Sequence, residues 1–321
     1  MNFLDKENKW ITPLVEGIGV MASVVIVSLV GIYIFPFILI LYPLAFIVYG
    51  TKHGLLPSGI LLIITGGLIA VGVDIISGII FILAFAPVSL GMIYSIKRRR
   101  RPLEILLTGS LLFFISVIFI FGAIGNFSGI SMIKQLEETF KETLFLQLEM
   151  LESTGLSNLE IARWKEMLED AYKYMLLILP SIIMIIAFGV SYLNYLITGV
   201  ILRLMGIGIL PMPRLHKFSV PNNFALGMMV MFVGIYIGKQ FDGRYFDTIL
   251  LNLIVLIGLA FILQGIAVID YFLLKIKFNK IIRGVLIVVT IIMAPVLTFV
   301  SLLGGIDMIL DFRKIRRRKS Q

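Results

Sequence analysis

Polar groups set within apolar sequence are the positions at which this chain could do chemistry. An ionised side chain near the middle of a bilayer costs roughly 2.5–3.5 kcal/mol or more, so such groups are paired or kept for function. Glu16 lies in the first apolar run, Asp74 between the third and fourth, and Asn194 in the sixth. Asn252, Gln264 and Asp270 fall in the eighth, and Asp307 follows the last. Facing a bundle interior, these groups would line a polar cavity or a ligand pathway. The competing reading is placement at a membrane surface, with hydrogen bonds between helices. That second reading is favoured for Asp74, Asp270 and Asp307, each of which can lie near a surface. Glu16 and Gln264 stay balanced between the two, because both sit inside apolar sequence.

Other chemistry is poorly served. The chain has no cysteine, which removes thiolate metal sites, iron–sulfur clusters and a cysteine nucleophile. Its two histidines, His53 and His216, are far apart, so a histidine metal cluster or a Ser-His-Asp triad has little support. No G-x-x-x-x-G-K-[ST], H-E-x-x-H or G-x-S-x-G segment occurs. The expectation is a protein that is not an enzyme and carries no cofactor or metal. Any energy input must come from an ion gradient or a partner.

The elements that hold these groups are membrane helices. Of 321 residues, 59% are hydrophobic and only 15% charged, with a mean hydropathy of +1.04. Soluble domains run nearer half apolar and a quarter charged. Lipid replaces water as the outer solvent, and only helices or closed barrels satisfy their backbone there. Residues 11–49 are long enough for two spans, with a break between Gly31 and Pro36; residues 55–96 make two more, turning at Asp74. Residues 103–125 are a fifth span. A long helix is expected from Tyr174 to Leu204, a short span over 224–238, another over 248–274, and a last over 285–303 that Pro295 could kink. The first run is far longer than the apolar core of a signal peptide and is read as a retained span. The fold class is therefore an all-α, polytopic transmembrane bundle of eight or nine spans.

One sizeable segment is extramembrane. Residues 127–173 hold nine acids and five bases, a balance of −4 against +13 for the remainder. Ile133, Leu136, Phe140, Leu144, Leu148 and Leu151 share one helical face. Thr154-Gly155 breaks that helix, and Ser157-x-x-Glu160 is a capping box opening the next. This reads as an amphipathic helical hairpin dividing the chain into 1–126, 127–173 and 174–321. Basic loops stay cytoplasmic. The five bases Lys97 to Arg101 therefore place the N-terminus and residues 51–54 inside and the acidic hairpin outside. The net charge of +9 is assigned to anionic lipid, not to nucleic acid. Nine spans would leave the tail, with six bases in 313–319, on the outer side, against the rule. A cytoplasmic tail is expected instead.

The second half resembles the YybS-like family of bacterial polytopic membrane proteins. The resemblance rests on Pro180; Leu193-Asn194-Tyr195-Leu196 with Arg203; Phe218-Ser219-Val220-Pro221; Gln264-Gly265-Ile266-Ala267-Val268; and Gly305-Ile306-Asp307 followed by Asp311-Phe312-Arg313-Lys314. A Trp-Arg pair usual before the proline is replaced by Val220 alone. The motif positions it marks are Asn194, Pro221, Gln264, Gly265, Asp307, Asp311 and Arg313. The family has no assigned molecular function, so it implies fold more than activity. The first half is similar to the substrate-binding S components of energy-coupling-factor transporters, through Pro43, Tyr49-Gly50, His53-Gly54 and Gly59. That resemblance implies a small-molecule ligand and a separate energising partner. The alternative is a scaffold or regulatory subunit that docks an envelope protein through 127–173.

Overall fold

The computed structural model describes residues 3–129, 131–221, 223–240 and 246–315. Within them every regular element is helical: twelve α-helices and two short 3-10 turns. The basic tail beyond residue 315 lies outside the described residues. The chain divides into two compact units, 1–170 with 182–212, and 171–181 with 213–321.

The first unit opens with α1 (Phe3–Tyr33), a 3-10 turn (Pro36–Leu41), α2 (Tyr42–His53), α3 (Leu55–Gly72), α4 (Ile75–Lys97) and α5 (Pro102–Ser128). Local chemistry sets these boundaries. Gly54 separates α2 from α3 at φ +118°, a conformation open to glycine. Asp74 caps α4 by accepting from the Ser77 amide at 2.8 Å, while the Ser77 hydroxyl donates to its other oxygen. Those two bonds hold the Asp74 carboxyl below the usual carboxylate range. Pro102 starts α5, where a missing N–H costs nothing. Part of α8 (Leu179–Leu204) joins this unit. Ala187, Val190 and Tyr195 of α8 pack with Ile47, Val88, Met92 and Leu106 in one core, while Tyr42, Phe46, Leu62, Ile69 and Phe81 form a second.

Between α5 and α8 run α6 (Met132–Glu152) and α7 (Asn158–Leu177), neither of which buries a residue. A short turn over residues 153–157 joins them. Both carry a net negative charge. The capping box is present: the Ser157 amide and hydroxyl donate to Glu160 at 2.9 and 2.7 Å, and the Glu160 amide approaches the Ser157 hydroxyl at 3.4 Å. These bonds hold the Glu160 carboxyl below its ordinary value. Its contribution is therefore present at neutral pH and lost only as acid protonates it. Ser157→Ala should raise protease cleavage at the 154–156 turn about five-fold without altering membrane insertion. Equal cleavage of the two proteins would remove the box from the account.

The second unit holds α9 (Phe224–Lys239), α10 (Phe246–Lys275), α11 (Lys280–Ile292) and α12 (Ala294–Leu310). Among the described residues seven helical segments are long and apolar enough to span a bilayer, and an eighth if α11 and α12 count together. Two single helices expected from sequence are broken. The axis between α11 and α12 bends by 107°, so 285–303 is not one straight span. Pro295 has no N–H and its ring conflicts with the carbonyl four residues back. The other break falls at Ile178, between α7 and α8, two residues before Pro180. Asn252 of α10 spans it: its Oδ1 accepts from the Ser181 amide and its Nδ2 donates to the Leu177 carbonyl, both at 2.8 Å. Those are the two groups that an unbroken helix would pair with each other.

Candidate functional site

Four segments of the second unit converge on a buried polar network. α10 supplies Gln264 and Asp270, α12 and the residues after it supply Asp307 and Arg313, α11 supplies Arg283, and the loop before α9 supplies His216 and Val220. α10 and α12 approach closely because both carry glycine at the crossing. A methyl on Gly265 would lie 2.0 Å from the Val300 carbonyl oxygen, and one on Gly304 1.9 Å from that of Phe261. That backbone contact brings Gln264 within reach of Asp307.

The bonding follows from donor and acceptor counts. The Val220 amide can only donate, so the Gln264 carbonyl oxygen faces it at 2.8 Å. The Gln264 amide nitrogen then points to Asp307 Oδ2, also at 2.8 Å. Arg313 donates to the same oxygen through Nε at 3.2 Å and Nη2 at 2.8 Å, and through Nη1 to the His216 carbonyl at 3.1 Å. The side chains of Asp307 and Arg313 are each 1% exposed, which makes this a buried ion pair. Asp270 Oδ1 accepts from Arg283 Nε at 2.9 Å and Nη2 at 2.8 Å, while its Oδ2 lies 3.5 Å from His216 Nδ1. Two carboxylates thus meet two guanidinium groups, and the network is neutral when His216 is neutral.

The balance of bonds is uneven. Asp307 Oδ2 receives three donors, whereas Asp307 Oδ1 is buried with none. A buried acceptor left unpaired costs on the order of 1–3 kcal/mol, more when charged. Among the described residues no donor reaches that oxygen, which can accept one more hydrogen bond.

The remaining sequence candidates are placed apart from this network. Glu16 in the first unit pairs with Lys52 Nζ at 2.5 Å and His53 Nε2 at 2.7 Å, with its side chain 37% exposed. Tyr49, on the same helix as those partners, donates to the Pro13 carbonyl at 3.2 Å. Asp74 is an exposed cap, as described above. Asn194 is buried in the first unit and donates to the Ile40 and Val190 carbonyls, both at 2.8 Å. Pro221 is exposed beside Val220, and its carbonyl accepts from the Phe224 amide at 3.0 Å. Asp311 ends α12 at φ +47° and accepts from the Ile315 amide at 3.0 Å. Arg283 and His216 escape sequence reasoning as partners of Asp270, since both lie in basic stretches that read as lipid contacts.

The profile of the DUF2232 family, described as predicted membrane protein, matches residues 20–308. "Uncharacterized protein YybS" of Bacillus subtilis (strain 168) is 21% identical over 304 residues, 92% of this chain and 95% of the relative. No solved structure matches the chain. The profile includes Gln264, Asp270, Arg283 and Asp307, and stops five residues short of Arg313. With most of its length matched in both comparisons, this multi-helix chain belongs to the DUF2232 family of membrane proteins, and it is similar to YybS.

Proposed function

We propose that the protein binds a small polar molecule within the membrane, in the manner of an energy-coupling-factor S component, with energy for transport supplied by separate subunits. The observation that carries this reading is Asp307: a buried carboxylate with one oxygen saturated by Gln264 and Arg313 and the other without a donor. A ligand bearing an N–H or O–H group completes that oxygen. The activity is one of binding and not of chemical conversion. The test is mass spectrometry of small molecules released from the purified protein. Wild type should carry a species that the folded fraction of Asp307→Asn loses at least ten-fold, and equal recovery per folded protein from both would refute the reading.

A second reading has its own support. α6 and α7 expose Ile133, Phe145, Leu146, Leu159, Trp164 and Met167 without burying any residue. Exposed apolar side chains of that kind suit docking of another envelope protein or the membrane surface. Crosslinking at Trp164 in cells that yields a defined protein adduct, together with no released small molecule, would favour the scaffold role.

The orientation belongs to the same proposal: plasma membrane, N-terminus inside, residues 127–173 outside. Arg283 near the start of α11 and Arg313 beyond the end of α12 enter one network, which brings both outer ends of the bent pair to one side. Treating that pair as re-entrant and α9 as crossing leaves eight spans and a cytoplasmic tail. Reporter fusions after Arg101 and Ile315 should read cytoplasmic and those at Ser153 extracytoplasmic. An external reading after Ile315 would make the bent pair a true span.

A further inference from the structure

We propose that a cavity rimmed by Arg99 and Arg100 seats the phosphate of an anionic phospholipid headgroup. The cavity measures about 280 Å³, and all of its lining belongs to the first unit. Ile96 in the last turn of α4, Ile105 in the first turn of α5, Tyr195 of α8 and the loop after α8 form its walls. The Tyr195 hydroxyl donates to the Leu210 carbonyl at 2.5 Å, which ties that loop to α8.

Both guanidinium groups are open to an anion. Among the described residues neither Arg99 nor Arg100 has a carboxylate partner. Arg100 lies over the Tyr94 ring at 5.8 Å, a contact that uses the face of the group and leaves its N–H edge free. Arg99 stands where a glycine is usual. At the end of α4 the Arg99 amide donates to the Ile96 carbonyl at 2.9 Å and the Arg100 amide to the Ser95 carbonyl at 3.1 Å, with Arg99 at φ +50°. A side chain is strained in that conformation. α8 ends in the same turn, with the Gly206 amide on the Arg203 carbonyl and the Ile207 amide on that of Leu202, and there glycine takes the position at φ +76°. The chain therefore carries strain at Arg99 that glycine would relieve, and what it gains is a guanidinium at the cavity rim.

The chemistry and the depth select the ligand. Guanidinium groups bind phosphate oxygens through parallel N–H bonds, and basic pockets between membrane helices recognise anionic headgroups. α4 and α5 are each long and apolar enough to cross a bilayer, and the cavity lies beside their facing ends at Lys97 and Pro102, which is headgroup depth. Its volume falls just below the roughly 300–1,000 Å³ of pockets that enclose drug-sized ligands, so it takes a headgroup and not a whole lipid. Leu210 lines the cavity and is 45% exposed, which leaves apolar surface at the rim for an acyl chain. A free phosphate would make no use of it. This site does not depend on the ligand proposed for the Asp307 network.

The experiment is thermal unfolding of the purified full chain in neutral detergent at constant ionic strength, with added phosphatidylglycerol, phosphatidylcholine or inorganic phosphate. Phosphatidylglycerol should raise Tm on the order of 5 °C above phosphatidylcholine, and inorganic phosphate should raise it much less. Arg99→Gly should unfold at or above the wild-type Tm in detergent alone, because the strain is gone, yet lose at least half of the lipid-specific rise. Arg100→Gln should lose as much. Lys97→Gln removes a charge from the same basic run but outside the cavity, since Lys97 Nζ lies 3.9 Å from a methyl built on Gly54. It should keep the rise. No rise with phosphatidylglycerol, an undiminished rise in both arginine variants, or an equal loss in all three variants, as diffuse attraction would give, would each overturn the proposal. A rise with inorganic phosphate equal to that with lipid would overturn the lipid assignment and make the ligand a soluble phosphate.

Discussion

Replacing Arg313 with alanine should destabilise the protein by about 3–5 kcal/mol, the cost of leaving a buried carboxylate without its counter-charge. The Asp307 side chain is 1% exposed, and two of the three donors to its Oδ2 come from that guanidinium. The double variant Asp307→Leu with Arg313→Met should recover most of the loss, because a buried pair replaced by apolar groups of similar volume is nearly neutral. Arg313→Lys should fall between, since an ammonium cannot reach Asp307 and the His216 carbonyl as a planar fork does. Chemical denaturation of all four proteins in one detergent measures the series. A double variant as unstable as the single would mean that Arg313 matters through packing and not through charge.

Gly304→Ala should be nearly as damaging as a lost ion pair, at or above the upper end of the roughly 1–3 kcal/mol typical of overpacking. The new methyl would sit 1.9 Å from the Phe261 carbonyl oxygen and 2.7 Å from the Gly265 amide nitrogen, both backbone atoms that no rotamer change can move aside. α10 and α12 must then separate, which also stretches the 2.8 Å bond between Gln264 and Asp307. At Gly258, also on α10, an added methyl would meet nothing within 4 Å, so Gly258→Ala serves as the control and should be neutral or mildly stabilising. Thermal unfolding that fails to separate the two alanine variants would contradict the close helix crossing.

Much of this architecture was legible because its causes are local. Apolar runs of span length, the turn at Asp74 and Ser157 three residues before Glu160 each act within a short stretch of chain. The same is true of the glycine-separated joint at Gly54. The helix breaks at Ile178 and Met293 were harder to place, because a proline can begin, kink or end a helix. Which of these occurs depends on a distant partner such as Asn252, which satisfies the freed groups around Pro180. Gln264, Asp270 and Asp307 stood out as polar residues in or beside apolar sequence, and Arg313 only through the family motif and the basic tail, but their grouping did not. It depends on α10 crossing α12 through two glycines and on a loop that returns His216 and Val220 to the crossing. Glu16 shows the same gap: its partners Lys52 and His53 are separated from it by a full helical excursion.

Whether the Asp307 network holds a ligand can be read from stability alone. A molecule that binds the folded state raises Tm, and its removal lowers it by mass action. Wild type and Asp307→Asn should be purified gently, divided, and one half of each washed exhaustively in detergent before thermal unfolding. The account predicts a fall in Tm on washing for wild type, reversed by adding back the wash concentrate, and no change for Asp307→Asn. A wild-type Tm unmoved by washing, or an equal and equally reversible fall in Asp307→Asn, would contradict it.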